Sequence, residues 1–560
     1  MTISLQRLRT ARAFGGKLWV LVRPYWFSDE RWIALGLLGS VVGLSLGIVY
    51  INVLLNNWNR VFFDALQNKD YPTFRAQLLY FTVLAFAFIA MAVYRLYLRQ
   101  MLEIRWRRWL TRRYTQEWLS NQAYYRLELK EYGTDNPEQR IQDDIRLLVG
   151  NTLILSLGLL SSVVTLVSFL SILWILSGGL SLRSIGIPVD IPGYMVWVAF
   201  VYALVGSLGA HRIGRPLAEI NFNQQRFEAD FRYRMTRIRE HSESIALYGG
   251  EDDESSGLDG SFVNIWRNWW RLMRRQKTLT WFTAAYGQVA IIFPFLVAAP
   301  RYFAGAIQLG GLTQTADAFG QVQGSLSWFI DIYPQYAEWR ATVDRLTSFG
   351  EAIARVREEA ASPDGIHVEE NTAPALEVRG LSLALPTGRT LLKDVNERIQ
   401  AGEAVLISGP SGSGKTTLFR ALAGIWPFGR GTVRTPVDAK VLFLPQKPYL
   451  PLGTLKEAMC YPGSADDTSD AAATEILAAC RLAHLIGRLH ETANWALTLS
   501  PGEQQRLGFA RVLVNRPDWV FMDEATSALD EETERYLYEL IRERLRGATV
   551  ISIAHRATLR

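Results

Sequence analysis

Five apolar stretches, each about as long as a lipid bilayer is thick, set the first limit on what this chain can become. A hydrocarbon core of about 30 Å calls for roughly 20 apolar residues of helix. Ile33–Leu55, Leu78–Leu98, Thr152–Leu176, Ile191–Ala210 and Thr278–Ala299 meet that need. Only the second holds a charge, Arg95, close enough to one end to reach the headgroups. A sixth stretch, Ala318–Trp339, is polar along one side. Gln321, Ser325, Trp328, Asp331, Gln335 and Glu338 recur at steps of three and four and so share a helical face. An aspartate turned to lipid costs several kcal/mol, so this face must meet other helices or water. We expect Gln321, Trp328, Asp331 and Gln335 to line a polar path, with Asp331 near mid-membrane.

Six spans absorb much of the 560 residues, which would otherwise suggest three or four soluble domains. The mean hydropathy of +0.05 averages two unlike regions. Basic residues orient the spans. Arg7, Arg9, Arg12, Lys17 and Arg23 precede the first acid, Asp29; "RWRRWLTRR" follows span two; "RYRMTRIRE" and "RNWWRLMRRQK" follow span four. The alternate connections, near Ser181–Asp190 and Arg301–Asp317, hold almost none. Both chain ends and the two long loops are therefore expected in the cytosol, and no cleavable signal peptide is expected. The loops are charged and rich in aromatic residues, a pattern in which the spans continue as helices beyond the bilayer. The net charge of +6 sits beside the apolar runs. That suits headgroup contact and leaves no stripe for nucleic acid. Cys460 and Cys480 are expected as thiols without a role.

These readings divide the chain into a cytosolic N-terminal segment at 1–30, a membrane domain at 31–345, a linker at 346–374 and a soluble α/β domain at 375–560. Acidic, Ala-rich composition and the breaks at Pro363 and Pro374 mark the linker.

Within the soluble part, "AVLISGPSGSGKTTLFRALAGI" reads as a buried strand, a glycine loop and a helix, the setting that makes a phosphate loop credible. Gly409, Gly412 and Gly414 let the backbone N–H groups of Gly409, Pro410, Ser411, Gly412, Ser413 and their neighbours turn inward, proline excepted. Lys415 reaches the β and γ oxygens of ATP, Thr416 offers its hydroxyl to Mg²⁺, and Thr417 closes the cradle at the helix start. "DWVFMDEATSALD" adds an apolar strand ending at Asp523, placed for the Mg²⁺ shell, and Glu524, placed as general base for the attacking water. Gln446 in "FLPQKPY" suits sensing of Mg²⁺ and water, and His555 in "ISIAHR" suits the γ-phosphate. A second polar loop, "LSPGEQQRLGFARVL", opens another helix with Ser500, Gly502 and Glu503.

In this order the elements resemble the ATPases of ABC transporters. The resemblance implies a multidomain membrane protein, with an all-α six-helix exporter-like transmembrane domain followed by an α/β P-loop ATPase. It also implies that the Ser500 loop caps ATP held by a second copy, so that one chain is half of a homodimeric transporter using ATP and Mg²⁺. Asp530, at the close of the Asp523 motif, joins the ATP-binding residues on the same ground. Pro501 and Glu503 depart from the family's usual loop, and Leu385 and Pro386 stand where an aromatic usually meets adenine. The sequence stops at Arg560, barely past His555, so a longer native chain is expected.

"PQKPYLPLGTLKEAMCYP", "NPEQRIQDDI", "ESIALYGGE", "NNWNRVFFDALQ" and "SLSWFIDIYPQYAEWRATVDRL" carry a finer resemblance. They are similar to the YddA-type group, which joins an SbmA/BacA-like membrane domain to an ATPase, and to peroxisomal and lysosomal fatty-acyl and cobalamin half-transporters. This implies a multi-pass protein of the bacterial inner membrane, in contact with lipid, moving a large hydrophilic or amphipathic cargo. Antimicrobial peptides, bleomycin-like glycopeptides and cobalamin are examples, with acyl-CoA-like lipids as an alternative. It places Asn136, Glu138, Gln139, Arg140, Glu243 and Gly249 in segments coupling the spans to the ATPase. A proton-coupled peptide permease with a regulatory ATPase is the rival reading. A soluble ATPase acting on DNA or ribosomes conflicts with the spans.

Overall fold

Runs of bilayer length become helices much longer than the bilayer. The computed structural model describes residues 2–129, 136–181, 190–360, 365–410 and 412–554. Two units emerge, Met1–Tyr114 with Asn136–Ser348, and Thr115–Asp135 with Phe349–Arg560. In chain order the helical part comprises α1 (Thr2–Trp26), α2 (Arg31–Gln67), α3 (Tyr71–Leu119), α4 (Ala123–Leu129), α5 (Pro137–Gln139) and α6 (Ile145–Ser177). A small antiparallel pair, β1 (Gly179–Ser181) and β2 (Asp190–Pro192), leads to α7 (Tyr194–Glu240), α8 (Ser242–Tyr248), α9 (Glu251–Phe303), α10 (Leu309–Asp331) and α11 (Tyr333–Ala360). α3, α7 and α9 hold 49, 47 and 53 residues. At 1.5 Å per residue each is about 70–80 Å long, over twice the hydrocarbon thickness. Five described helices are long and apolar enough to cross a membrane.

The sixth stretch differs from expectation. The helix starts earlier, at Leu309, and breaks at Ile332. Pro334 supplies no N–H to the preceding turn and its ring crowds that turn, which ends α10. With 23 residues, α10 alone measures about 34 Å, enough to cross. Asp331 is therefore the last residue of α10 and is exposed. Beyond the break, Gln335 donates to Asn151 (2.8 Å) and Trp339 to Thr152 (2.8 Å), at the very start of the third apolar run. Glu338 also faces Asn151 (3.4 Å). Gln335 is thus a packing residue on α6.

Close approaches hold the bundle together. Tyr202 and Tyr286 exchange hydroxyl-to-carbonyl bonds of 2.6 and 3.0 Å between α7 and α9. Between α2 and α10, the Gly310 N–H donates to Asp64 (2.8 Å). A Cβ on Gly310 would lie 1.9 Å from the carbonyl oxygen of Arg60, a backbone atom that cannot swing aside. At the first loop's far end, Asp144 is buried and takes a bidentate bond from Arg345 (2.9 and 2.6 Å) and another from Arg140 (2.7 Å). Arg140 and Arg345 together satisfy that carboxylate, which would be costly if left alone.

The second unit contains β3 (Ile366–Asn371), β4 (Ala375–Ala384), β5 (Thr390–Gln400), β6 (Ala404–Ile407), α12 (Lys415–Leu422), β7 (Gly429–Pro436), β8 (Val441–Leu444), β9 (Gly453–Thr454), α13 (Leu455–Cys460) and α14 (Asp470–Ala479). It ends with β10 (Thr492–Ala493), α15 (Trp495–Thr498), α16 (Pro501–Asn515), β11 (Trp519–Asp523), α17 (Glu531–Arg544) and β12 (Thr549–Ile553). Parallel strands run in the order β6-β12-β11-β8, and a second sheet runs β3-β7-β4-β5. Phe419 and Leu422 of α12 pack with Leu381 and Leu383 of β4 on one side and Phe521 and Ile551 of the parallel sheet on the other. α12 is thereby held between both sheets. Cys460 and Cys480 are buried free thiols in a second core with α13, α14 and α16.

The expected linker 346–374 is corrected here. Its first part continues α11 to Ala360, and β3 pairs with β7 in parallel from Ile366↔Gly431 to Asn371↔Pro436. β3 therefore belongs to the ATPase sheet.

Gly310→Ala should lower the thermal stability of the full chain in lipid discs by about 1–3 kcal/mol, the usual cost of overpacking. Gly311→Ala, whose Cβ would meet only Ile307 at 3.4 Å, should melt within a degree or two of wild type.

Candidate functional site

The ends of the parallel strands gather the chemistry. β6 delivers the glycine loop, where Gly412 (φ 78°) and Gly414 (φ 92°) occupy left-handed conformations that a side chain would strain. Gly414 caps α12, whose first residue is Lys415. The Lys415 ammonium donates to the carbonyls of Gly409 (2.8 Å) and Pro410 (2.9 Å), at the mouth of the loop. One residue on, the Thr416 hydroxyl donates to Asp523 Oδ1 (3.3 Å). Thr416 and Asp523 are thus brought together from α12 and the end of β11. Ser413 and Thr417 lie in the same loop and first turn. Ser411 and His555 lie outside the described residues.

Glu524 leaves the strand with φ 47°, rare for a residue with a side chain. Its carboxylate accepts from Gln446 Nε2 (3.1 Å) at the end of β8. Burial pushes the Asp523 carboxyl up; the Thr416 bond opposes this, and the charge of Glu524 adds to the rise. The site therefore pairs two adjacent carboxylates of different environment, one buried at a hydroxyl and one partly exposed beside an amide.

A residue not anticipated from sequence ties these parts together. Gln505, buried on α16, donates to the Gln446 carbonyl (3.1 Å) and the Ser527 hydroxyl (2.9 Å), and accepts from the Ala528 N–H (2.9 Å). The sequence shows only a second glutamine in a polar loop.

The Ser500 loop closes on itself. Ser500 is the N-cap of α16, Pro501 stands at the first helical position, and Glu503 completes a capping box. Glu503 Oε2 accepts from the Ser500 N–H (2.9 Å) and hydroxyl (2.7 Å), while Oε1 faces His484 Nε2 (2.7 Å). Burial raises the Glu503 carboxyl, but the bonds from Ser500 and His484 outweigh it and leave it below the usual range. Gly502 packs beside the Ala528 carbonyl, where a Cβ would come to 3.3 Å. Among the described residues, no hydrogen bond joins Ser500, Gly502 or Glu503 to the chain's own phosphate loop. Asp530 caps α17, accepting from Thr533 N–H (2.8 Å) and hydroxyl (2.9 Å). At the expected adenine position, Leu385 forms a tight turn with Arg389 and packs against the core.

Of the expected coupling residues, Arg140 is spent on Asp144. Asn136 adopts φ 51° and caps the short α5 that carries Glu138 and Gln139. Glu243 opens α8 and Gly249 ends it at φ 63°. Within the second unit, α4, which follows α3, also meets the ATPase core. Arg126 donates to the Gly424 carbonyl (2.9 Å) just beyond α12, and Leu129 packs against the core around α12. A guanidinium there also complements the negative end of the helix.

On the membrane side, Gln321 and Trp328 line a cleft between α6 and α10, whereas Asp331 and Gln335 do not.

The family description "ABC transporter transmembrane region 2" matches residues 19–303, and "ABC transporter" matches residues 392–527. The chain belongs to the ABC transporters, as a fused membrane region and ATPase of the YddA-type group. It is 35% identical to the inner membrane ABC transporter ATP-binding protein YddA of Escherichia coli (strain K12), over 98% of this chain and 96% of that one. It is 26% identical to the lysosomal cobalamin transporter ABCD4 of Homo sapiens, over 96% and 91%. A bacterial Atm1-family ABC exporter with ATP bound shares the fold, with a TM-score of 0.71 at 19% identity, over 95% of this chain and 92% of that one. The chain is an ATP-binding, ATP-hydrolysing transporter with an exporter-type fold.

Gln505→Ala leaves the Ala528 N–H without its buried partner, a loss of about 1–3 kcal/mol. Steady-state ATPase assays should show turnover reduced about tenfold or more, with the concentration for half-saturation by ATP changed far less.

Proposed function

We propose that two copies of this chain form an ATP-driven pump of the bacterial inner membrane, with both chain ends cytosolic, carrying a large hydrophilic or amphipathic molecule. One observation carries the dimer: the Ser500 loop has a phosphate-capping composition but, among the described residues, no bond to its own phosphate loop. A second copy, facing the other way, completes each centre.

Within a centre, Lys415 and the inward N–H groups would hold the β and γ phosphates of ATP, and Thr416, Asp523 and Gln446 would hold Mg²⁺. The hydroxyl and carboxylate are oxygen donors close together, as that ion prefers. Bound there, Mg²⁺ neutralises charge on the phosphate oxygens. Glu524, kept in place by Gln446, takes the proton of the attacking water. Gln505 makes the Gln446 and Ser527–Ala528 segments move together. Arg126 and Leu129 of α4 carry the state of α12 toward α3. α8 offers a second coupling surface, with Leu247 and Tyr248 80% and 89% exposed. Closure of the paired ATPases reverses the side to which the membrane cavity opens, and hydrolysis resets it.

Cargo of the size of a peptide or cobalamin agrees with the likeness to a lysosomal cobalamin transporter. The rival, proton-driven permeation with a regulatory ATPase, is separated by Glu524→Gln. The pump reading expects ATP still bound, with turnover and vesicle transport lost. Transport that persists and collapses only with a protonophore contradicts it.

The raised Asp523 carboxyl gives a pH dependence. A proton competes with Mg²⁺ at higher pH than at an ordinary aspartate. The Mg²⁺ concentration for half-maximal ATPase should therefore climb as pH falls toward 5, and Asp523→Asn should flatten that climb.

A further inference from the structure

Asp317 closes the Arg301–Asp317 connection expected from the sequence, yet it lies within α10. Its carboxylate lines the cleft between α6 and α10, a space of about 440 Å³. Opposite stand the hydroxyls of Ser161, Ser162 and Thr165, and Gln321 and Trp328 complete the wall. Ser161–Thr165 is the middle of the third apolar run, so this polar space sits at mid-span depth. The Trp328 ring approaches α6 at Gly158, where a Cβ would lie 2.8 Å from it.

Behind Asp317 the hydrogen bonding is unbalanced. Asn56, fully buried on α2, donates through Nδ2 to Asp317 Oδ2 (2.6 Å) and to the Gln314 carbonyl (3.1 Å). Asn56 Oδ1 is left buried with no donor, and so is Oε1 of Gln314, itself 5% exposed. Exchanging the oxygen and nitrogen of Asn56 would set its oxygen against the carboxylate, so the bonds themselves fix its orientation. Among the described residues, no Lys, Arg or His forms an ion pair with Asp317. Gln321 also hydrogen-bonds the Asp317 carboxylate, so amide donors meet this carboxylate but no counter-charge does, at a depth where that is costly.

A positively charged group in the cleft supplies the counter-charge that Asp317 lacks. The space is far larger than a metal ion and matches an organic group. We propose that this cleft binds a guanidinium- or ammonium-bearing part of the transported molecule, with Asp317 as its counter-charge. The proposal rests on the transport reading above and supplies the class of cargo it favours. A guanidinium satisfies the site most fully, because its planar fork can meet a carboxylate and hydroxyls at once.

The test is binding by the full chain in lipid discs, followed by titration calorimetry with benzylguanidinium and its neutral isostere benzylurea. Wild type should favour benzylguanidinium by about tenfold or more, the weight of 1.4 kcal/mol. Asp317→Asn should bring the ratio close to one, and Asp317→Glu should restore a preference. Ser162→Val, which fills the cleft from the facing helix, should weaken both ligands and covers the case in which Asp317→Asn does not fold. Equal binding of the two ligands by wild type, or a preference that survives in Asp317→Asn, overturns the proposal. The readout needs no ATP. A protein that shows the preference but no ATP-dependent transport would contradict the pump reading and leave this site standing.

Discussion

The hydroxyl and N–H of Ser500 both end on Glu503 of their own chain, while the Lys415 ammonium rests on carbonyls of its own loop. Two helix starts, each suited to an anion, thus have no hydrogen bond between them among the described residues of one chain. That constraint organises the rest. On the dimer reading proposed above, a second copy brings a capping loop to each phosphate loop, and the behaviour of each membrane region then depends on its twin. The capping box also suggests why Glu503 is tolerated where the family usually has another residue. Its carboxylate satisfies the Ser500 N–H, a group the helix start would otherwise leave unpaired.

The ATPase works as a connected body because α12 lies between two sheets and touches the chemistry at both ends. At its start are Lys415 and Thr416; beyond its end is the Gly424 carbonyl that receives Arg126. A displacement of α12 is felt by α4, and α4 follows a helix that begins in the membrane. Gln505 does the corresponding work across the site, joining the segment of Gln446 to that of Ser527 and Ala528. Neither link involves a charged pair at the surface, where screening would make it weak.

Features written in consecutive residues were legible in the sequence. The apolar runs, the glycine loop and the acidic end of β11 each carry their signal within about twenty residues, and each appears where expected. Features that depend on distant partners were not. Arg126 and Gly424 are 298 positions apart, and Asp144 and Arg345 are 201 apart. β3 looked like linker because its six residues become a strand only by pairing with β7. The break at Ile332 was available from Pro334, but the regular spacing of polar residues masked it. The placing of Asp317 inside α10 was not legible, because its partner Asn56 stands on another helix, 261 positions away.

The claim that each hydrolytic centre is shared between two subunits can be tested by mixing inactive chains. One carries Lys415→Ala, and the other a loop disabled by Ser500→Arg. Each alone should be inactive in lipid discs. Co-assembled, they leave one centre with an intact phosphate loop from one chain and an intact capping loop from the other, so ATP turnover should return. If the mixture stays as inactive as its parts, while mixing either with wild type shows that subunits do exchange, the shared centre is wrong.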